Sequence, residues 1–250
     1  MQVDVNGGRL WFDVDGSALG PDGSSMRERP TVVLGHGGPG VWDHSYFKPD
    51  FAPLAEHAQL VYLDLRGHGR SEWGDTAMWS LEACADDIRG FCDAVGISRP
   101  IVFGHSMGAP VVLLYGARHP GHAGGLIVQS GFARFDIPRL VEGFRRVAGD
   151  EVAGIVARSF SGEDVANDEW NRVARAFGPY VPDEEQRARP RENLELNSPG
   201  MDVIRGTDIV DRLAAITSPT HCRGRGTRSG DTRRRRGRDR RCAACRRRAA

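Results

Sequence analysis

The chain has 250 residues, of which 40% are hydrophobic, 27% charged and 8% aromatic, a composition typical of a globular protein that can bury a large core. Its length excludes a disulfide-stapled miniprotein, and its apolar runs are too short to cross a membrane. The first residues alternate polar and apolar side chains without a basic start or a long apolar stretch. We therefore expect no secretory signal and a cytoplasmic location.

The formal net charge of +1 conceals an asymmetry along the chain. Residues 221–250 hold 13 basic and 2 acidic residues, a net charge of +11, whereas residues 1–220 carry a net charge of −10. Three of the five cysteines, Cys222, Cys242 and Cys245, also follow residue 220. We interpret the chain as a folded body followed by an arginine-rich, disordered tail.

The body begins with a predicted β-hairpin, in which strands at residues 2–5 and 9–14 flank an Asn-Gly-Gly turn that tolerates positive φ. The clearest helix covers residues 81–95, with Ser80 as its N-cap. Short apolar runs alternate with helical patterns, which is the rhythm of a parallel sheet. The predicted strands of that sheet are residues 31–35, 60–65, 101–104 and 126–128.

The second half of the body has a different pattern. Residues 132–205 contain helical segments without strand signals, and we interpret them as a helical insertion. Residues 206–220 return to the core and approach another strand, but the sequence HCRGRGTRSGDT at residues 221–232 cannot form a buried strand. We therefore expect the sheet to lack its last strands, which would leave residues 126–128 as an open hydrophobic edge prone to aggregation.

The motif G-x-S-x-G occurs at residues 104–108 as GHSMG, after an apolar run and before a segment that can form a helix. This context predicts a nucleophile elbow, in which a tight turn between strand and helix exposes a serine hydroxyl. The free N–H groups and positive dipole end of the following helix favour a developing oxyanion. On its own the motif is common, and a tight turn with an ordinary serine is the alternative.

Two glycine-rich loops accompany this motif. HGGPG at residues 36–40 follows the strand at 31–35, and its small residues let a backbone N–H approach a ligand. DLRGHGRS at residues 64–71 follows the next strand. With the three motifs in this order, residues 1–220 resemble the α/β-hydrolase fold family, specifically the branch of proline iminopeptidases and related esterases.

The resemblance implies a mostly parallel sheet flanked by helices, with residues 1–131 as the core and residues 132–205 as a helical cap over the pocket. It implies Ser106 as the nucleophile and the backbone amides of Gly38 and Met107 as the oxyanion hole, with no metal and no cofactor. The implied substrate is a small ester, amide or short peptide. Neither a specific nucleic acid nor a membrane is an expected partner.

For other charged residues near these motifs or in the cap, the sequence supports a role in the site less strongly. We interpret Asp64 and Arg66 as structural supports, with a direct role as the alternative. In iminopeptidases acidic cap residues bind the free amine of the substrate, although a solvated helix face explains such residues as well. The candidates for that role are Glu163, Glu169, Glu192 and Glu195. Because the HGGPG loop favours an iminopeptidase and GHSMG favours an esterase, we keep the reaction class broad.

The catalytic base and acid of such an enzyme are missing from their expected places. Acyl transfer needs a histidine to deprotonate the serine and a carboxylate to orient it, in the chain order Ser, acid, His. Only His119, His122 and His221 follow Ser106. His119 lies about 20 Å from the serine if the intervening segment is helical, and His221 falls where a strand should begin. We therefore expect negligible hydrolysis.

A shifted reading frame explains the sequence after Thr220. The chain contains 33 arginines and one lysine, which indicates a GC-rich gene. Reading one nucleotide later from Cys222 permits V-V-A-G-E-x-D-P-V-T-P, which resembles the acid-bearing segment of the family. An intact frame found by sequencing independent DNA across this position would exclude the hypothesis. The alternatives are a basic arm that binds nucleic acid and a zinc site that uses Cys242 and Cys245 with His221 and Cys222. The alternative function is that of a non-catalytic remnant whose basic tail binds polyanions.

Overall fold

The computed structural model describes residues 1–46, 48–176 and 190–223. The strands among these residues are β1 (Gln2–Val5), β2 (Gly8–Asp15), β3 (Leu19–Asp22), β4 (Ser25–Glu28), β5 (Thr31–Gly35), β6 (Gln59–Leu63), β7 (Ile101–His105), β8 (Gly125–Gln129) and β9 (Thr220–Arg223). The α-helices are α1 (Lys48–Phe51), α2 (Leu81–Ala94), α3 (Gly108–Arg118), α4 (Ile137–Phe160), α5 (Asn167–Ala176) and α6 (Leu194–Arg205). The arginine-rich tail, from residue 224 onward, lies outside the described residues.

Seven strands form one sheet in the order β1-β2-β6-β5-β7-β8-β9. The pairs β1-β2 and β2-β6 are antiparallel, and every other neighbouring pair in this sheet is parallel. This arrangement confirms the predicted α/β class with a mostly parallel sheet. The separate hairpin formed by β3 and β4 was not predicted, because its strands contain few of the β-branched or aromatic residues that strands favour.

Local sequence signals account for the first hairpin and for helix α2. In the hairpin turn, Asn6 and Gly7 adopt φ values of 48° and 75°, as a two-residue turn between antiparallel strands requires. At the start of α2, the hydroxyl of Ser80 accepts a hydrogen bond from the Ala83 N–H at 3.0 Å. The observed helix ends one residue before the predicted end, and Val95 is 37% exposed rather than part of the buried face.

The parallel strands are covered on both faces. Because successive side chains along a strand point to opposite faces of the sheet, neighbouring residues belong to different hydrophobic clusters. On one face, Val33 and Val102 pack with the buried sides of α2 and α3. On the other face, Leu34 and Phe103 pack with Tyr62 and with the partly buried residues that follow β5 in the chain. The sheet is therefore the central layer of the fold, and its loops at the carboxyl ends of the strands are held on a rigid support.

The sequence interpretation was wrong about the strand after residues 218–220. Residues Thr220–Arg223 form β9, which pairs in parallel with β8 so that His221 lies opposite Ile127. The segment that we expected to be an open edge is therefore covered. The side chains of β9 alternate in exposure: His221 and Arg223 are exposed, whereas Thr220 and Cys222 are partly buried. A strand at the edge of a sheet tolerates this alternation, whereas a strand buried on both faces does not.

Between β8 and β9, the described residues contain the helices α4, α5 and α6. Helix α4 contains a break at Gly149, where φ is 83°, and it packs on α5 through Val152, Ile155, Val156 and Val173. Helix α6 then leads back toward the sheet through the residues before β9. Within residues 1–46, 48–176 and 190–223, no helix combines the length and apolar character needed to cross a bilayer.

Candidate active site

Ser106 lies in the turn between strand β7 and helix α3. Its φ is 53°, a conformation that non-glycine residues rarely adopt and that is frequently found at functional sites. Its N–H donates to the Gln129 carbonyl at 3.1 Å, and its carbonyl accepts from the Ala109 N–H at 3.1 Å. These bonds fix the backbone of the serine against β8 on one side and against the first turn of α3 on the other.

The glycines of the GHSMG motif are required by close packing. A Cβ atom on Gly104 would lie 2.2 Å from the carbonyl oxygen of Gly108, and one on Gly108 would lie 2.6 Å from the carbonyl oxygen of His36. The same crowding continues after β8, where a Cβ on Gly131 would lie 3.0 Å from the carbonyl oxygen of Ser106. The turn is thus enclosed by backbone from three segments, which matches the predicted elbow.

The HGGPG segment, which we call the oxyanion loop (residues 36–40), lies directly beside this turn. A Cβ on Gly37 would lie 3.3 Å from the Cβ of Ser106, and one on Gly38 would lie 3.2 Å from the sulfur of Met107. In the described part of the chain, the backbone N–H groups of Gly38 and Met107 donate no hydrogen bond. The structure therefore brings the three predicted site residues into one cluster.

Two buried histidines hold the oxyanion loop against the core. His36 has Nδ1 2.5 Å from the Gly37 carbonyl, and its Nε2 accepts from the Leu65 N–H at 3.0 Å. His68 donates from Nδ1 to the Arg66 carbonyl at 2.8 Å, and its ring lies under Gly38. Burial, together with the neighbouring His36, lowers the pKa of His68 to about 3, and burial also lowers the pKa of His36. Both rings are therefore neutral supports of the loop.

The side chain of His105, which precedes Ser106, is hydrogen-bonded to Tyr46. Its Nδ1 lies 2.5 Å from the hydroxyl of Tyr46, and burial followed by the nearby His36 lowers its pKa. The Tyr46 hydroxyl also hydrogen-bonds the backbone of Gly37. Tyr46 therefore joins the turn to the oxyanion loop. The sequence analysis did not identify Tyr46, since no motif includes it.

Asp64 and Arg66 occupy supporting positions, as the sequence analysis proposed. The buried Asp64 accepts from His44 Nδ1 at 2.6 Å and from the Arg70 N–H at 2.9 Å. Although burial opposes ionisation, the hydrogen bond from His44 keeps the pKa of Asp64 below its usual value. Arg66 forms two hydrogen bonds with Asp87 on α2, at 2.7 and 2.8 Å. In the described residues, neither side chain is hydrogen-bonded to Ser106.

Asp43, His44 and Asp64 are the described residues that could hold a metal, since their donor atoms lie within 4.8 Å of one another. However, the protein itself already uses these carboxylates. Asp43 accepts from the Ser45 N–H at 2.7 Å and from the Arg191 N–H at 2.8 Å, and Asp64 is occupied as described above. This buried cluster thus acts as a junction between loops.

In the described chain, no histidine is hydrogen-bonded to the hydroxyl of Ser106. His119 and His122 lie beyond the far end of the 11-residue helix α3, about 16 Å long, where they bond Asp86 and the Tyr115 hydroxyl. His221 is exposed on β9, two strands away from β7. The expected acid would follow β9, in residues that lie outside the described ranges.

Of the acidic residues considered for amine binding, one is held in an ion pair and the other three are exposed. Glu169 pairs with Arg158 within the α4–α5 region and accepts from the Ala166 N–H. Glu163, Glu192 and Glu195 are exposed. Two amides that the sequence analysis missed, Asn193 and Asn197, do contact the oxyanion loop; no sequence signal identified them, because they are separated from the loop by more than half of the chain.

Comparison with known proteins agrees with this geometry. A putative carbamate hydrolase, RutD of Caulobacter sp., is 34% identical over 125 residues, which is 49% of this chain and 45% of the relative. The chain spans less than half the length of the curated carbamate hydrolases that it matches. A monoacylglycerol lipase of Mycolicibacterium smegmatis is 29% identical over 225 residues, covering 86% of this chain and 73% of the lipase.

Similarity to solved structures extends over most of the chain. The crystal structure of a proline iminopeptidase from Mycobacterium smegmatis superposes with a TM-score of 0.68 at 19% identity, covering 89% of this chain and 80% of the other. At this identity the match concerns the fold alone. Residues 30–189, which include the oxyanion loop and the Ser106 turn, match the sequence profile of the α/β hydrolase fold. The chain therefore belongs to the α/β hydrolase fold family.

Proposed function

We propose that the site is that of a serine hydrolase that cleaves an ester or peptide bond through an acyl-enzyme on Ser106. The observation that carries this proposal is the cluster formed by the positive-φ turn of Ser106 and the amides of Gly38 and Met107. The names of the relatives, a putative carbamate hydrolase and a monoacylglycerol lipase, support hydrolysis as the class of reaction.

In the proposed reaction, the Ser106 oxygen attacks the carbonyl carbon of the substrate, and the carbonyl electron pair moves onto oxygen. The amides of Gly38 and Met107 would donate to that oxyanion, and the N-terminus of α3 adds its positive dipole end. The serine hydroxyl proton passes to solvent, and collapse of the intermediate expels the leaving group, which takes up a proton from solvent. Water then adds to the acyl carbon, the bond to the Ser106 oxygen breaks, and the products are the free acid and the reprotonated serine. Residues 132–205 would form the cap that selects the substrate.

We further propose that this chain is impaired, because no described histidine is hydrogen-bonded to the serine hydroxyl. In a well-studied serine protease, loss of the triad lowers turnover by about a millionfold and leaves a residual rate from the oxyanion hole and binding. We therefore expect Ser106 to react slowly with an activated acyl or phosphonyl group and to turn over little or no substrate.

Labelling with a fluorophosphonate probe tests the assignment of the nucleophile. After prolonged incubation, peptide mapping by mass spectrometry should find the adduct on Ser106, and the Ser106→Ala protein should remain unlabelled. Ser198→Ala, which removes an exposed serine on α6, is the matched control and should label like the unmodified chain. Adducts distributed over exposed serines, or none on Ser106, would contradict the proposal.

A further inference from the structure

Helix α6 and the residue before it contact the oxyanion loop. The Asn193 N–H donates to the Gly40 carbonyl at 2.7 Å. The Asn197 side chain donates from Nδ2 to the Pro39 carbonyl at 3.0 Å. Two consecutive carbonyl groups of the loop are thus bound by residues that lie more than 150 positions later in the sequence.

The packing around these hydrogen bonds leaves no room for side chains. A Cβ on Gly40, whose φ is 74°, would lie 2.4 Å from the Asn193 carbonyl oxygen. On the helix, a Cβ on Gly200 would lie 2.5 Å from the Cβ of Pro39. Asn193 is itself buried, and its Nδ2 donates to the Gly67 carbonyl at 2.9 Å. The start of α6 is therefore fastened both to the oxyanion loop and to the neighbouring loop after β6.

Along the chain, Gly38 lies between two points of attachment, one to the core at Gly37 and one to α6 at Pro39. On the core side, His36 binds the Gly37 carbonyl and the Leu65 N–H. On the other side, the attachment begins at the next residue, Pro39, through Asn197. A glycine-rich loop held at one end only would sample many conformations, whereas an oxyanion donor contributes most when its direction is fixed before the reaction.

We infer that Asn193 and Asn197 are positioning residues of the oxyanion hole, so that the last part of the proposed cap, rather than the core alone, fixes the Gly38 amide toward Ser106. The inference rests on the proposed function. It implies that displacement of α6 changes the reactivity of Ser106 without contact between α6 and the serine. A shift of about 1 Å in a catalytic group can lower a rate about 100-fold, so loss of one attachment should be measurable.

The test uses Asn197→Asp, which keeps the shape of the side chain but replaces its donor with an acceptor facing the Pro39 carbonyl. The matched control is Asn171→Asp, the same change at an exposed position on α5. Hydrogen exchange followed by mass spectrometry should show faster exchange in peptides covering residues 36–43 of Asn197→Asp, with unchanged exchange in α2. The maximal rate of fluorophosphonate labelling should fall about 10-fold or more, while the probe concentration giving half this rate changes little.

A second variant keeps the inference testable if Asn197→Asp does not fold. Gly200→Ala should push α6 from Pro39 and produce the same pair of changes through steric conflict. Unchanged exchange at residues 36–43 in both variants, or faster exchange with an unchanged labelling rate, would overturn the inference while leaving Ser106 as the nucleophile. Failure of the unmodified chain to label at Ser106 would instead overturn the proposed function and the inference with it.

Discussion

Single residues in this molecule are constrained mostly by backbone crowding around Ser106. Gly104 and Gly108 are glycines because carbonyl oxygens occupy the space that their Cβ atoms would need. This requirement is local, so the G-x-S-x-G spacing could predict the turn from sequence alone. The roles of His36 and His68 could not be predicted in this way, since a buried neutral histidine and a catalytic histidine look the same in a sequence.

The buried histidines predict a loss of stability in mild acid. His68 has a pKa of about 3 in the folded chain and about 6.5 when unfolded, so only the unfolded state gains its proton between these values. The free energy of unfolding should therefore fall as pH decreases below 6.5, by up to about 1.4 kcal/mol per pH unit for this one group.

Urea denaturation between pH 7 and pH 5 measures this dependence, above the range in which the unfolded Asp64 carboxyl takes up protons. His68→Gln should reduce the slope of stability against pH. His57→Gln, at an exposed position, is the control and should leave the slope unchanged. Equal slopes for the unmodified chain and His68→Gln would show that His68 is not kept neutral by the fold.

At the scale of elements, prediction from sequence succeeded where one element carries its own signal. The period of apolar residues and the Ser80 cap defined α2, and uninterrupted apolar runs defined the parallel strands. Strand β9 was missed because its polar residues alternate and its main support is the adjacent β8. Tertiary pairing of this kind overrides the weak strand preference of a short segment.

Asp87 joins three elements: helix α2, the first hairpin and the loop after β6. Asp87 on α2 is only 2% exposed in its side chain and binds both Arg66 and Asn6. Asp87→Asn would leave the guanidinium of Arg66, 22% exposed, without its partner. We expect a loss of about 2 to 3 kcal/mol in the free energy of unfolding, below the cost at a fully buried pair.

Asp93→Asn is the matched control, since it makes the same change on the same helix in an exposed pair with Arg89. Exposed pairs of this kind contribute little to stability, because solvent screens the two charges. Thermal or urea denaturation of both variants gives the comparison. Similar losses in the two proteins would mean that Arg66 and Asp87 do not join these elements.

For the molecule as a whole, the sequence predicted most of the core of the site because parallel strands end at a common edge. The loops after β5, β6 and β7 carry residues 36–40, residues 64–71 and the Ser106 turn, and they meet there. Helix α6 contributes to the same site from the far side of the helical region. Its asparagines could not be predicted, since their partners are backbone carbonyls that any sequence provides.

Ser106 is proposed as a nucleophile beside the amide donors Gly38 and Met107, although no histidine of the described chain is hydrogen-bonded to its hydroxyl. The most direct measurement is the release of p-nitrophenol from p-nitrophenyl acetate, with Ser106→Ala as the background. The account predicts a slow release of at most one equivalent per protein molecule, absent from Ser106→Ala, followed by no further turnover. Sustained turnover that Ser106→Ala abolishes would contradict the impairment, and identical traces for the two proteins would contradict the nucleophile.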